Sequence, residues 1–429
     1  MDAIVLPSGV SVNQRPVDLG PVVLVMVGLP ARGKSYTARK VARYFNWLGY
    51  RARVFNVGEY RRHNLGAGQS HTFFDPHNVE GARARREMAH AALHDLLQWI
   101  GGGGEVAIYD ATNSTRARRA WVRQVCQDAG VRVVFLEIAC EDEAIIEASI
   151  RRTKVTSPDY VGRDPDDAAA DFRARIAHYA ESYEPVDDPD QSFIRIVDVG
   201  RQIVVNRIQG YLPGRLVSFL MNLHLEPRPI YLTRHGESLY NLDARIGGDS
   251  PLTEAGRQYA VRLADHLHAE LPPAQACTVW TSTLRRTLET ASWIGRPSRA
   301  WRVLDEIDAG VCDGMTYAQI ARTLPVEHAA RKADKYRYRY PRGESYEDLI
   351  ARLEPAIIEL ERQRHPVVVV AHQAVLRAIY AYFLEHPPET CPFLSIPLHT
   401  VIRLVPGAYG CEELRLHLGP TPESSQGAE

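Results

Sequence analysis

The chain has 429 residues, of which 45% are hydrophobic and 24% charged, and its 51 basic side chains nearly cancel its 52 acidic ones. That length holds two or three domains at roughly 100–200 residues each, and the composition is that of an ordinary soluble globular protein. A net charge of −1 leaves no basic excess for a general binder of nucleic acid or of membrane surfaces.

The N-terminal stretch Met1–Gly20 carries Asp2 and Asp18 and lacks a basic flank with an apolar core, so no signal peptide is expected. The cysteines (Cys126, Cys140, Cys277, Cys312, Cys391, Cys411) are scattered, with no C-x-x-C pair and no metal-ligand spacing. Such usage fits reduced thiols in a cytosol. No apolar run approaches the ~20 residues that span a bilayer. A cytoplasmic protein is expected.

Val22–Val27 is an unbroken apolar run of a length that suits a buried strand. Gly28-Leu29-Pro30-Ala31-Arg32-Gly33-Lys34-Ser35 follows it and fits G-x-x-x-x-G-K-[ST] at every fixed position. Tyr36, Val41, Tyr44, Phe45 and Leu48 then share one helical face. Strand, glycine loop and helix in that order make a phosphate-binding loop, with backbone N–H groups and the helix N-terminus turned toward phosphates. Lys34 is expected to reach the β- and γ-phosphates, and the Ser35 hydroxyl to ligate Mg²⁺.

Arg51–Val57 reads as a strand and Val79–Ile100 as a long helix stopped by Gly101–Gly104. Glu105–Tyr109 is a short strand that delivers Asp110 ahead of a basic helix, Thr115–Asp128. An aspartate there is where a phosphate-loop enzyme holds its metal, although Asp110 also fits a plain helix cap. Arg132–Ile138, Glu141–Lys154, Asp164–Ser182 and Phe193–Val199 continue as strand, helix, helix, strand. This alternation implies a parallel sheet covered on both faces, with its ligand beyond the strand C-termini. Asp188-Pro189-Asp190-Gln191-Ser192 spells D-x-D-x-S, but it has no apolar strand before it and lies in a proline-broken loop, so it is taken as chance.

The pattern breaks around Gly210–Pro229, and Leu216–Leu225 reads as a packed edge strand or an interdomain segment. Ile230–Thr233 then leads as a strand into Arg234-His235-Gly236-Glu237-Ser238. Thr281-Ser282-Thr283-Leu284-Arg285-Arg286 ends another strand, Glu306 lies in Leu304–Gly310, and His372 ends the apolar run Val367–Ala371. That set suits hydrolysis through a phosphohistidine: a neutral imidazole attacks phosphorus and water later breaks the intermediate. His235 is the expected nucleophile, Arg234, Arg286 and His372 the phosphate clamp, and Glu306 the acid/base. Arg331–Arg342, RKADKYRYRYPR, interleaves basic residues with tyrosines, which taken alone reads as a solvated basic loop.

A phosphate-loop kinase followed by an R-H-G phosphatase resembles the bifunctional 6-phosphofructo-2-kinase/fructose-2,6-bisphosphatase family. The likeness runs from about Pro21 to about Tyr409, and strings such as Phe55–Arg62, Asp110–Asn113, Ser157–Tyr160, Arg245–Ser250, Lys335–Ser345 and His372–Val375 carry it beyond the generic motifs. The resemblance implies two α/β domains, a P-loop kinase domain over 21–225 and a phosphoglycerate-mutase-like histidine phosphatase domain over 226–415, with an extension at 1–20 and a tail at 416–429. It implies ATP and Mg²⁺ as cofactors, small-molecule substrates only, no nucleic-acid or membrane partner, and a homodimer. It puts Lys154 on the nucleotide phosphates and the sugar, and Arg61, Arg62, Arg85, Thr112, Arg118, Arg175 and Tyr179 around fructose-6-phosphate. It puts Tyr317, Arg331, Lys335 and Arg339 on the 6-phosphate of fructose-2,6-bisphosphate, with Asn241, Gly247 and Gln373 lining that site. Two other readings compete: a kinase–phosphatase fusion acting on nucleic-acid ends, which the neutral charge argues against, and a regulatory binder without catalysis.

Overall fold

A computed structural model describes residues 20–151, 157–224, 227–407 and 410–419. The expectations for Lys154, for the N-terminal extension and for the last ten residues lie outside them. The chain divides into two compact units: residues up to Ala38 together with Arg53–Met221, and Arg39–Ala52 together with the chain from Asn222 onward.

The first unit is built on β1 (Val22–Val27), with α1 (Lys34–Trp47), whose residues from Arg39 on belong to the second unit, then β2 (Ala52–Asn56), α2 (Val57–Leu65), α3 (Val79–Gly101), β3 (Val106–Asp110) and α4 (Arg116–Asp128). It continues through β4 (Arg132–Ala139), α5 (Glu143–Ser149), α6 (Pro165–Ala180), β5 (Phe193–Val197), β6 (Gln202–Asn206) and α7 (Tyr211–Leu220). Among the described residues the strands lie in the order β2-β3-β1-β4-β5-β6. Every residue of β1 and β3 is buried, as expected of strands covered on both faces. β1 runs parallel to β3 and β4, and β4 parallel to β5, so the loops after β1 and β3 open at one edge. The sheet is mixed rather than purely parallel, because β6 returns antiparallel to β5.

The helices start where their caps dictate. Asn78, Thr115 and Asp164 accept backbone N–H groups at the heads of α3, α4 and α6, each satisfying a donor the helix leaves unpaired. In the stretch expected as an edge strand or an interdomain segment, Leu216–Leu225, residues Leu216–Leu220 form the end of α7 rather than a strand, and the boundary between the two units falls after Met221. Leu212, Leu216, Phe219 and Leu220 are the helix's buried apolar residues, a helical spacing that the strand reading overlooked.

The second unit adds β7 (Ile230–Arg234), α8 (Leu239–Leu242), α9 (Glu254–Glu270), β8 (Thr278–Thr281), α10 (Arg285–Ala291), β9 (Ser298–Ala300), α11 (Tyr317–Thr323) and α12 (Pro325–Ala333). It ends with α13 (Tyr346–Arg362), β10 (Val367–Ala371), α14 (Gln373–Phe383), β11 (Thr400–Pro406) and β12 (Cys411–His417). Their order is β12-β11-β7-β10-β8-β9. β10 is wholly buried and pairs in parallel with β7 on one side and β8 on the other, aligning Ala371 with Arg234 and Val370 with Thr281. This register brings the residues that follow each strand, His235, Ser282 and His372, to one end of the sheet. β11 closes the other flank of β7 antiparallel.

Candidate active sites

In the first unit the phosphate loop leaves β1 at Gly28, whose φ is +134°. A Cβ there would stand 2.4 Å from the Ile138 carbonyl oxygen, so only glycine fits. The Gly28 N–H donates to the Thr112 carbonyl at 3.0 Å, which ties the loop to the end of β3. Lys34 is buried, and its Nζ donates to the Leu29 carbonyl at 2.6 Å, folding the side chain back over the loop. Arg32 donates from Nε to the Cys140 carbonyl at 2.8 Å, a latch the motif does not announce. Pro30 and Ala31 are buried in the loop, Ala31 at φ +61°. Gly33 accepts the Thr37 N–H at 2.9 Å, and Ser35 is half-buried in the first turn of α1. Asp110, 3% exposed, ends β3 and accepts from Asn56 Nδ2 at the end of β2. It caps no helix; α4 is capped by Thr115.

The expected sugar-phosphate residues form a cationic cluster. Arg61 Nη2 lies 2.5 Å from Asp159 Oδ2, with Arg175 at 3.6 Å and Arg62 at 3.8 Å from the same oxygen. Phe74 floors the cluster, its ring 3.6 Å from the Arg175 guanidinium carbon and 6.0 Å from the Tyr179 ring. Arg85 donates to the Phe73 carbonyl, and Arg118 to the Tyr109 hydroxyl at 2.8 Å. Burial lowers the pKa of Arg61, Arg85 and Arg118 below the usual range. One carboxylate for three guanidiniums leaves uncompensated positive charge, which a phosphate can neutralise. Asp159, which holds the cluster together, was visible only inside the Ser157–Tyr160 string.

In the second unit His235 is 4% exposed, and its Nδ1 lies 2.7 Å from the Gly236 carbonyl. A carbonyl only accepts, so Nδ1 carries the proton and Nε2 keeps its lone pair. Burial first, then the Arg286 and Arg234 guanidiniums, hold the imidazole well below its usual pKa, so it stays neutral. His372 is wholly buried, its ring centroid 5.2 Å from that of His235, and the same causes with burial foremost keep it neutral too. Arg234, pushed down to about 10 by burial, donates to the Ile396 carbonyl at 3.2 Å. Arg286 donates to the Gly248 carbonyl at 2.6 Å. Glu306 Oε1 accepts from its neighbour Ile307 N–H at 3.0 Å and from Ala374 N–H in the first turn of α14 at 3.2 Å.

A cleft here is lined by Arg234, His235, Arg286 and Glu306 together with Tyr317, Arg331, Lys335, Asn241, Gly247 and Gln373, while His372 is not among its lining residues. Gly247 sits at φ +71°, where an added Cβ would fall 1.6 Å from Asp313 Oδ1. Arg331 donates to the Tyr340 hydroxyl at 2.7 Å and to the Tyr317 hydroxyl at 2.8 Å. Arg339 is the exception among the expected residues. It pairs with Asp348 through two hydrogen bonds, 2.7 and 2.6 Å, at an exposed position outside the cleft. In the run Arg331–Arg342, Arg331, Lys335, Tyr338 and Tyr340 line the cleft while Arg337 faces Asp334 and Glu389. The cleft also holds Tyr346 and Arg377, neither of which the sequence reading had. Tyr346 opens α13 beside Ser345, and Arg377 lies four residues after Gln373 on the same face of α14; these positions were the available signal. His399 is a further omission: its Nε2 accepts the Glu237 N–H at 3.3 Å and so braces the loop that carries His235.

Residues 11–227 match the family model described as 6-phosphofructo-2-kinase, and residues 230–418 match the histidine phosphatase superfamily, branch 1. A protein of Gallus gallus named 6-phosphofructo-2-kinase/fructose-2,6-bisphosphatase is 50% identical over 396 residues, covering 91% of this chain and 84% of the relative. The chain belongs to the bifunctional 6-phosphofructo-2-kinase/fructose-2,6-bisphosphatase family. An Arabidopsis thaliana member is 51% identical over 411 residues, 93% of this chain but 55% of that relative's length. A human member, numbered 4, is 50% identical over 91% of this chain and 84% of its own. Membership accounts for both sites in one chain. Among the described residues no helix is long and apolar enough to cross a membrane.

Proposed function

We propose that the chain makes fructose-2,6-bisphosphate from fructose-6-phosphate and ATP in its first unit and hydrolyses it at the 2-phosphate in its second. The observation that carries the hydrolytic half is the buried His235 ring, its Nδ1 2.7 Å from the Gly236 carbonyl, which leaves Nε2 bare in a cleft that also holds Arg234, Arg286 and Glu306. In that half Nε2 attacks phosphorus in line, Arg234 and Arg286 neutralise the equatorial oxygens, and Glu306 protonates the departing sugar oxygen. Glu306, then a carboxylate, takes the proton of the water that cleaves the phosphohistidine. Tyr317, Arg331 and Lys335 hold the 6-phosphate in the same cleft.

In the kinase half Lys34 and the loop amides hold the ATP phosphates, and the Arg61, Arg62, Arg85, Arg175 cluster holds the sugar phosphate. The hard oxygen donors of Ser35 and Asp110 fit Mg²⁺, which keeps few protein ligands and takes the rest from phosphates and water. The bound ion would neutralise charge between the transferring and leaving phosphates. The cysteines are unpaired, consistent with a cytoplasmic enzyme, and the assembly proposed is a homodimer.

The test couples both halves. Fructose-2,6-bisphosphate should form with ATP and disappear without it. Lys34→Ala should abolish formation while hydrolysis stays within a few-fold, since phosphoryl transfer depends on positioning and charge. Substrate labelled in its 2-phosphate should trap an acid-labile phosphoenzyme that maps to His235. A label on Glu306, or loss of both activities in folded Lys34→Ala, defeats the assignment.

A further inference from the structure

The clamp histidine has a partner that the motifs do not name. His372 Nε2 lies 2.7 Å from Ser282 Oγ, and Ser282 Oγ lies 2.7 Å from Thr287 Oγ1. All three side chains are wholly buried. Ser282 Oγ also accepts the Leu284 N–H at 3.1 Å, and Thr287 Oγ1 stands 2.8 Å from the Leu284 carbonyl. On the opposite side of the ring, His372 Nδ1 is buried and has no hydrogen-bond partner among the described residues.

Counting protons leaves two arrangements. In one, Nε2–H donates to Ser282, Ser282 to Thr287, and Thr287 to the Leu284 carbonyl, so Nδ1 is left a bare acceptor. In the other, Thr287 donates to Ser282, Ser282 donates to Nε2, and the ring's one proton sits on Nδ1. Each hydroxyl rotates between them without changing its proton count. The second costs little at the Leu284 carbonyl, which also accepts the Thr287 and Leu288 N–H groups at 3.0 and 3.3 Å. A bare Nδ1 facing a phosphoryl oxygen would set acceptor against acceptor, whereas Nδ1–H donates.

We infer that Ser282 and Thr287 are positioning residues for the phosphatase reaction, a rotatable hydroxyl pair that holds His372 as the neutral Nδ1–H tautomer when a phosphoryl group is bound. His372 then clamps the phosphoryl group by donating a hydrogen bond while carrying no charge. Beside two guanidiniums this matters: a third cation would be repelled, and it would also stabilise the phosphohistidine against release. The inference rests on the phosphatase reading above and assigns no step of bond making to Ser282 or Thr287.

The test uses the full-length protein labelled with ¹⁵N-histidine and titrated with inorganic phosphate. Long-range ¹H–¹⁵N correlations, with His372 assigned through His372→Gln, should show a neutral ring protonated at Nδ1. In Ser282→Ala, which removes only the hydroxyl, Nε2 loses its donor, and the phosphate-bound ring should shift toward Nε2–H or toward the imidazolium. Phosphoenzyme formation should then slow roughly ten- to hundred-fold, the range of a buried hydrogen bond left unmade. Kinase activity and the unfolding midpoint serve as controls for folding, and Ser282→Thr, which restores the hydroxyl, should recover most of the rate. Finding Nε2–H or an imidazolium in the phosphate-bound wild type overturns the inference with no variant needed. So does a folded Ser282→Ala with unchanged tautomer and rate. If wild type forms no phosphohistidine at all, the phosphatase reading itself fails, which the labelling experiment reports separately.

Discussion

Lys335→Ala separates recognition of the second phosphate from the chemistry at the first. Lys335 is half-buried in the cleft, its ammonium pKa lowered by burial and then by Arg331 and Arg377. A cation crowded by cations gains more from an arriving phosphate dianion than an isolated one would. A charge-assisted hydrogen bond is worth ~1.5–3 kcal/mol, and ~1.4 kcal/mol is tenfold in affinity. Partial exposure favours the lower part of that range, so kcat/KM for fructose-2,6-bisphosphate should fall roughly 10- to 100-fold. Because the contact forms in the ground state and in the transition state alike, most of the loss should appear in KM. p-Nitrophenyl phosphate has no second phosphate, and its hydrolysis should change by less than about twofold. The assay is steady-state release of phosphate from both substrates. Equal losses on the two would place Lys335 with the catalytic groups, and no loss on either would leave the Arg331–Arg342 run a solvated loop.

Three further outcomes follow from the same geometry. Arg339→Ala should leave bisphosphate hydrolysis within about twofold, because an exposed pair such as Arg339–Asp348 is worth little; a tenfold rise in KM would return Arg339 to the cleft. Gly247→Ala should abolish phosphatase activity and spare the kinase, since the new Cβ would collide with Asp313 Oδ1 at a left-handed backbone position, and retained hydrolysis would contradict the loop geometry. The buried histidines set a pH dependence of stability. His235 and His372 bind protons well below their usual pKa in the folded state, whereas the unfolded chain binds them near 6.5. Their contribution is therefore complete above about pH 6.5 and is lost as pH falls from there toward the folded values. Urea unfolding of the wild type between pH 7.5 and 5.5 should show that decline, with a shallower slope in His372→Gln; an identical slope in the two proteins would count against a neutral buried ring.

What the sequence disclosed and what it withheld divide along a physical line. Local geometry set by consecutive residues was legible: Gly28–Gly33 form the loop between β1 and α1, and Arg234-His235-Gly236 close β7 at one end of the sheet. Buried strands such as β1 and β10 announced themselves as apolar runs, whereas β6 and β9, half-buried and exposed, carry no such signature. The site residues missed or misplaced are those fixed by tertiary contact. Arg339 looks no different in sequence from Arg331, yet an Asp348 nine residues on draws it out of the cleft, while two tyrosine hydroxyls hold Arg331 inside. Tyr346 and Arg377 enter because α13 and α14 carry them into the cleft, and only their places beside Ser345 and four residues after Gln373 hint at it in sequence. Tertiary contact hid Ser282 and Thr287 as well. They are separated in sequence by the turn into α10 and meet His372 only because β8 and β10 pair in register. Residues that contact substrate phosphate tend to be charged and stand out in a sequence; the neutral hydroxyls that decide how a buried histidine holds its proton become visible only once the strands are aligned.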